Sequence, residues 1–273
     1  MEARDCIAMF DSGIGGLTVL KAVMERLPNE SLVYFGDTAR LPYGTKSRQT
    51  VVRFSQEIVK FLLTKNPKVI VIACNTATAY ALETIKDMVD IPVVGVIEPG
   101  ADAAIRATRN NKVGVIGTRA TIDSGAYVEA IQSRGPATKV FPKACPLLVP
   151  LIEEGWIDDP VTREITARYI RPLVDMGIDT LILGCTHYPL LKDVIRDLLG
   201  PEIQLVDSAE ETASVVENLL AERGLLKPAL RGARCEIIVS DMHLNLRIQA
   251  SRFLGTDIPR ITVVNSEFQE VKS

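Results

Sequence analysis

Metal-ligating residues are scarce in this chain of 273 residues, which has only two histidines, His187 and His243. Zinc sites usually need four nitrogen or sulfur ligands with at least one closely spaced pair. The five cysteines form no CxxC pair, and their number is odd; they are Cys6, Cys74, Cys145, Cys185 and Cys235. We therefore expect no bound metal and no disulfide framework, but reduced thiols such as a cytosolic enzyme contains.

Runs of like charge and long apolar runs are absent as well. The formal net charge is −3, and no stretch carries five or six consecutive like charges, which argues against nucleic acid as the main partner. No apolar stretch approaches the ~20 residues needed to cross a bilayer. The first residues lack the apolar region of a signal peptide. We expect a cytoplasmic protein with no membrane partner.

One apolar, β-branched run dominates the first half of the chain. It covers residues 69–73 and ends abruptly in Cys74, Asn75 and Thr76. Such a run predicts a strand that is buried on both faces of a parallel sheet. The polar triplet then lies at the carboxyl end of the strand, where open α/β sheets bind their ligands.

A second run of the same order appears far downstream. Residues 180–184 are apolar or small, and Cys185, Thr186 and His187 follow them. Cys74 comes 63 positions after Asp11, which ends an earlier predicted strand, and Cys185 comes 68 positions after the corresponding residue 117. The similar spacing supports an internal duplication.

Predicted strands and helices alternate along the rest of the chain, which is typical of parallel sheets with crossover helices. A helix is predicted over 78–89 and a strand over 91–97; after residue 225, strands are predicted at 236–240 and 261–264 and a helix near 244–254. The predicted fold is α/β, with two pseudo-symmetric domains and the active site in the cleft between them. Each domain is a mainly parallel sheet flanked by helices. Residues 1–97 and 208–273 form the first domain, which the C-terminal segment completes, and 98–207 form the second.

A glycine-rich turn, residues 11–16, joins the first strand to a helix. It lacks the Lys and Ser/Thr of a Walker A loop, and Thr18 stands where a dinucleotide fingerprint has its third glycine. A nucleotide is therefore not expected. Two interpretations stay open. The turn amides hold an anion such as a carboxylate, or the turn is a bare one that Asp11 caps.

Thiols at two strand ends suit two chemistries. A dithiol redox pair usually has CxxC spacing, so an acid and a base on opposite faces of one carbon are favoured. Proton abstraction beside a carboxylate needs a base close to the Cα–H bond and donors that hold the carboxylate. Ser12, Asn75, Thr76 and Thr186 supply such donors, and Asp11 and His187 could tune the thiols or hold an ammonium group. Cys6, Cys145 and Cys235 are assigned to packing.

Five stretches resemble the cofactor-independent aspartate/glutamate racemase family. They occur in family order between residues 6 and about 210, and they are Phe-Asp-Ser-Gly-Ile-Gly-Gly (10–16), Gly-Asp-Thr-Ala-Arg-Leu-Pro-Tyr-Gly (36–44), Ala-Cys-Asn-Thr-Ala (73–77), Pro-Leu-Ile-Glu-Glu-Gly (150–155) and Leu-Gly-Cys-Thr-His-Tyr-Pro (183–189). The resemblance implies interconversion of L- and D-glutamate without a cofactor, a glutamate site between two α/β domains, a homodimer, and a supply of D-glutamate for peptidoglycan.

The same resemblance implies roles for individual residues. Cys74 and Cys185 would be the acid/base thiols, with Cys74 taking the proton of D-glutamate and Cys185 that of L-glutamate. The supporting acid/base groups would be Asp11, Asp37, Glu153 and His187. The substrate would be lined by Asp11, Ser12, Tyr43, Gly44, Asn75, Thr76, Thr186 and His187.

Two alternatives remain at this point. One is a related racemase or isomerase that acts on aspartate, hydantoin or maleate, since the sequence does not fix the length of the substrate. The other is a non-catalytic amino-acid-binding protein of the same fold. Cysteines at both matched strand ends argue against it, because a site that only binds needs no thiols.

Overall fold

The structure is a computed structural model that describes residues 6–228, 233–242, 244–256, 260–265 and 268–269. His243 lies outside these residues. The described residues form ten strands: β1 (Cys6–Asp11), β2 (Ser31–Gly36), β3 (Pro67–Ile72), β4 (Val93–Gly95), β5 (Lys112–Gly117), β6 (Lys139–Ala144), β7 (Thr180–Gly184), β8 (Gln204–Asp207), β9 (Cys235–Val239) and β10 (Ile261–Val263).

Eleven α-helices lie in the same described residues: α1 (Leu17–Arg26), α2 (Arg48–Leu63), α3 (Asn75–Lys86), α4 (Ile97–Ala107), α5 (Arg119–Asp123), α6 (Ala126–Arg134), α7 (Leu148–Glu153), α8 (Pro160–Asp175), α9 (Lys192–Leu199), α10 (Ser208–Glu222) and α11 (Leu246–Leu254). Two short 3₁₀ helices cover Tyr43–Thr45 and Tyr188–Leu191. None of the helices in this part of the chain combines the length and the apolar character that a membrane span needs.

The first sheet has the strand order β10-β9-β2-β1-β3-β4, and every pair in it is parallel. All residues of β1 and β3 are buried, as expected for strands that helices cover on both faces. Phe10 of β1 lies beside Ile72 of β3. Asp11 follows Phe10 directly and Cys74 comes two residues after Ile72, so both lie at the same edge of the sheet.

The second sheet has the order β6-β5-β7-β8 and is also parallel. This order matches β2-β1-β3-β4 of the first sheet, strand for strand, so the topology supports the duplication inferred from spacing. Gly117 of β5 pairs with Gly184 of β7, which places Thr118 and Cys185 at one edge. The C-terminal strands β9 and β10 extend the first sheet.

Two predicted elements differ from the observed ones. The strand expected over 91–97 is only Val93–Gly95, and α4 begins at Ile97. Pro99 lies in the first turn of α4, where backbone amides make no hydrogen bond within the helix, so that the missing N–H of proline costs nothing. The helix expected from residue 78 begins at Asn75, because the side chain of Cys74 accepts a hydrogen bond from the amide of Ala77 and caps the helix. The predicted strands after residue 225 and the helix there are present, with ends shifted by one or two residues.

The two halves share one hydrophobic core. A single cluster of buried side chains contains Met9 and Val71 of the first sheet as well as Ile116 and Leu181 of the second. Each fully buried aliphatic side chain of this kind contributes about 1.5–3 kcal/mol to stability. Close packing of the halves agrees with the lack of a linker rich in Pro, Gly or Ser, and it fixes the two strand edges relative to each other.

Candidate active site

Cys74 lies between β3 and α3, with 5% of its surface exposed. Its Sγ accepts a hydrogen bond from the amide of Ala77 at 3.4 Å and donates to Oγ of Ser12 at 3.6 Å. Burial, assisted by the negative charge of Asp11, raises the pKa of the thiol to about 12, although the hydrogen bonds oppose this. Cys74 is therefore a protonated thiol near neutral pH.

The side chain of Asp11 stabilises the glycine-rich turn that follows it. Its Oδ2 accepts hydrogen bonds from the amides of Gly13 and Gly16, each at 3.1 Å, and Tyr34 donates its hydroxyl proton to the carbonyl of Gly13 at 2.8 Å. Burial raises the pKa of Asp11, although the charge of His187 and the turn amides act against it. Because Asp11 occupies these two amides, the geometry favours the capped turn over an anion site.

Cys185 follows β7 and has a charged neighbour. Its Sγ lies 4.0 Å from Nδ1 of His187, whose Nε2 lies 3.0 Å from Oε1 of Glu153. Burial alone would lower the pKa of His187, but its contacts with Cys185 and Glu153 outweigh burial and raise that pKa to about 10. His187 is therefore an imidazolium at neutral pH.

Hydrogen-bonding side chains at the start of α3 contact the second half of the chain. Oγ1 of Thr76 lies 3.0 Å from Oγ1 of Thr118 and 3.1 Å from that of Thr121, and the last two lie 3.0 Å apart. Oδ1 of Asn75 accepts the hydroxyl proton of Tyr127 at 2.7 Å. The amide nitrogen of Asn75 is buried and has no hydrogen-bond partner among the described residues.

Asp37 lies behind Tyr43. Its carboxylate accepts hydrogen bonds from the hydroxyl of Tyr43, from the guanidinium of Arg40 and from Ser240. Burial and the charge of Asp37 raise the pKa of Tyr43 well above its ordinary value. The tyrosine is a neutral donor at all physiological pH values.

A cavity of about 230 Å³ lies where these groups meet. Ten of the twelve residues predicted for the site line it: Ser12, Tyr43, Gly44, Cys74, Asn75, Thr76, Glu153, Cys185, Thr186 and His187. Asp11 and Asp37 are not among the lining residues. Of the two cysteines predicted as acid/base groups, Cys74 comes from the first half of the molecule and Cys185 from the second.

The sequence interpretation missed other lining residues, among them Thr118, Arg119 and Cys145. Thr118 occupies in the second repeat the place of Ser12 in the first, so the duplication could have identified it. Cys145 was assigned to packing, and it is fully buried, but its side chain also forms part of the cavity wall. Nothing in its local sequence distinguishes these two situations.

The family profile for Asp/Glu/Hydantoin racemase matches residues 17–216 of the chain. The chain belongs to this family. A glutamate racemase of Geobacter metallireducens is 50% identical over 264 residues, which are 97% of this chain and 98% of the relative. The protein is therefore an amino-acid racemase, which is a type of isomerase.

Solved racemase structures share the fold. A glutamate racemase isoform of Bacillus anthracis superposes with a TM-score of 0.93 at 38% identity, with 98% of this chain and 100% of that one covered. A glutamate racemase of Francisella tularensis, solved with D-glutamate, gives 0.91 at 38% identity over 96% and 98% of the two chains. The two-domain α/β arrangement is thus that of known racemases.

Among the described residues, no group of three or more His, Cys, Asp or Glu side chains is placed to hold a metal ion. The cavity does bring together three cysteines, an imidazolium–carboxylate pair and several neutral donors. Such a set can hold a carboxylate and exchange a proton with the carbon beside it.

Proposed function

We propose that the protein interconverts L- and D-glutamate, with Cys74 and Cys185 as the groups that move the Cα proton. The observation that supports this most is that Cys74 and Cys185, which follow corresponding strands of the two halves, line a single cavity. The names of its relatives, at about 50% identity over nearly the full length, indicate glutamate as the substrate.

The surroundings of the two thiols differ. The pKa of about 12 keeps Cys74 protonated, whereas the sulfur of Cys185 lies 4.0 Å from Nδ1 of the His187 imidazolium. In the direction from L- to D-glutamate, the Cys185 thiolate removes the Cα proton, so that a C–H bond breaks and an S–H bond forms. Cys74 delivers its own proton to the opposite face of the carbon. The reverse direction exchanges the two roles.

Donors that surround the cavity would hold the substrate carboxylates. The unpaired amide nitrogen of Asn75 is suited to this, because a buried donor without a partner costs about 1–3 kcal/mol. A bound carboxylate relieves that cost. Ser12, Thr76 and Thr186 also line the cavity, and their hydroxyls stabilise the negative charge that develops when the proton leaves.

Asp11 and Asp37 act in this proposal through other groups. Asp11 shapes the turn that carries Ser12, and its charge favours the protonated forms of Cys74 and His187. Asp37 holds the hydroxyl of Tyr43. Glu153 holds His187 beside Cys185.

Further features of the proposal rest on the family resemblance. The enzyme needs no pyridoxal phosphate, metal or nucleotide, forms a homodimer in the cytoplasm, and supplies D-glutamate for peptidoglycan. Residues 1–97 with 208–273 constitute one domain and residues 98–207 the other, in line with the two sheets.

The test is an assay of the purified protein with L-glutamate and no added cofactor, followed by circular dichroism until the signal reaches zero. L-Aspartate at equal concentration serves as the comparison. Faster turnover of aspartate would assign a different substrate. A need for added pyridoxal phosphate, or activity lost to a chelator and restored by a metal, would overturn the cofactor-free mechanism.

A further inference from the structure

The amide of Asn75 is held in one orientation by a residue from the other half of the molecule. Its oxygen accepts the hydroxyl proton of Tyr127 at 2.7 Å, and its nitrogen is left without a partner among the described residues. Only 3% of the surface of Asn75 is exposed, so the direction of this amide depends on a protein partner and not on bulk water.

Tyr127 is itself firmly placed. It lies in α6, is buried, and donates its one hydroxyl proton to Asn75. The ring packs against Gly184, directly before Cys185, and against Gly100.

As a donor, the tyrosine hydroxyl selects the oxygen of Asn75 over its nitrogen. A turned amide would bring its nitrogen to the tyrosine and its oxygen to the cavity. The oxygen carries partial negative charge and would repel a substrate carboxylate, whereas the nitrogen attracts it.

We propose that Tyr127 is a positioning residue that orients the Asn75 amide so that its nitrogen faces a carboxylate of the substrate. This inference rests on the proposed racemisation of glutamate and adds to it a residue that no motif of the family resemblance contained. It also makes the binding donor of one half depend on contact with the other half.

The first test is Tyr127→Phe, which keeps the ring and its packing on Gly184. In the variant, carboxylate binding forces the oxygen of Asn75 against an apolar ring edge, where it has no donor. Loss of one such buried hydrogen bond corresponds to about a tenfold rise in KM for glutamate. We expect kcat to stay within about threefold, since both thiols keep their surroundings.

The matched control is Tyr80→Phe, which removes a tyrosine hydroxyl on α3 that is partly exposed and away from the cavity. Its KM should equal that of the wild type. Tyr127→Met also lacks the hydroxyl and keeps an apolar side chain; it should raise KM in the same direction, and it replaces Tyr127→Phe if that variant folds poorly.

A double-mutant cycle separates positioning from a structural effect. In the Asn75→Ala background, Tyr127→Phe should raise KM no further, because no amide remains to be oriented. Asn75→Ser replaces Asn75→Ala if the latter does not fold. An unchanged KM in Tyr127→Phe, or an equal rise in both backgrounds, would overturn the inference. A wild-type protein that does not racemise glutamate would instead refute the proposed function, so the two failures are distinguishable.

Discussion

Gly15 offers a steric test of the contact between His187 and Cys185. A Cβ atom added at Gly15 would lie 2.4 Å from Nδ1 of His187, 2.6 Å from its Cε1 and 2.5 Å from Oγ1 of Thr186. Ordinary contact begins at 3.4 Å, so the imidazole must retreat by about 1.0 Å. The nitrogen that must move is the one that faces the sulfur of Cys185.

Gly15→Ala should therefore separate the imidazolium from Cys185 while the backbone keeps its course, since Gly15 does not have a positive φ. A misplacement of about 1 Å in a catalytic group costs on the order of 10²-fold in rate. We expect kcat/KM for L-glutamate to fall by about that factor. The assay is racemisation followed by circular dichroism, with thermal unfolding to verify that the variant is folded.

The comparison with His187→Gln shows whether the effect passes through the imidazole. If it does, the double variant should be scarcely less active than His187→Gln alone, because the damaged contact is the same. A folded Gly15→Ala protein with kcat/KM within threefold of the wild type would refute the role given to this contact. Fully additive losses would place the damage at Thr186 instead.

Three further outcomes follow. Cys74→Ala and Cys185→Ala should each lower kcat by at least about 10²–10⁴-fold. Cys235 lies on β9 and outside the cavity, so Cys235→Ala should leave kcat unchanged. Wild-type activity in Cys74→Ala or Cys185→Ala would contradict the assignment of these thiols as the groups that move the Cα proton. The pKa of His187 is about 10 in the folded protein and about 6.5 in the unfolded chain, so its protonation stabilises the fold fully below pH 6.5 and progressively less up to pH 10. The melting temperature of the wild type should therefore exceed that of His187→Gln by more at pH 6 than at pH 10. An equal difference at both pH values would contradict this reasoning. Lys68 pairs with Glu30, both with side chains 2% exposed, and donates to the carbonyl of Leu225. Lys68→Met should lower the free energy of unfolding, measured by urea denaturation, by about 3–5 kcal/mol, because it leaves the Glu30 charge buried without its partner. A loss below about 1 kcal/mol would show that the pair is not effectively buried.

The sequence predicts the fold well where burial decides the pattern. The runs before Cys74 and Cys185 are apolar on both faces because helices cover both sides of each strand, and that pattern is readable without structure. The edge strand β4 is short, and the boundary with α4 depends on where pairing with β3 stops. Strand pairing of this kind is a tertiary contact that leaves no signal in the local sequence, so the strand predicted over 91–97 is longer than the observed one.

The site was predictable where polar residues end a strand, and not where a residue acts through another. Asp37 belongs to the resemblance, but only the structure shows it behind Tyr43 and away from the cavity wall. Tyr127 and Cys145 approach the site from elements far away in sequence. Their spacing in the chain carries no trace of the contact, because the packing of the two halves creates it.

The most direct test of the two-thiol mechanism is racemisation in deuterated water. The proton that Cys74 delivers was drawn earlier from solvent, whereas the proton taken by Cys185 remains on the wrong face for the product. At low conversion from L-glutamate, proton NMR of the separated enantiomers should show deuterium at Cα in nearly all D-glutamate, and largely protium in the remaining L-glutamate. Appreciable protium in the D-glutamate, after correction for residual protium in the solvent, would mean that one base serves both faces and would contradict the account.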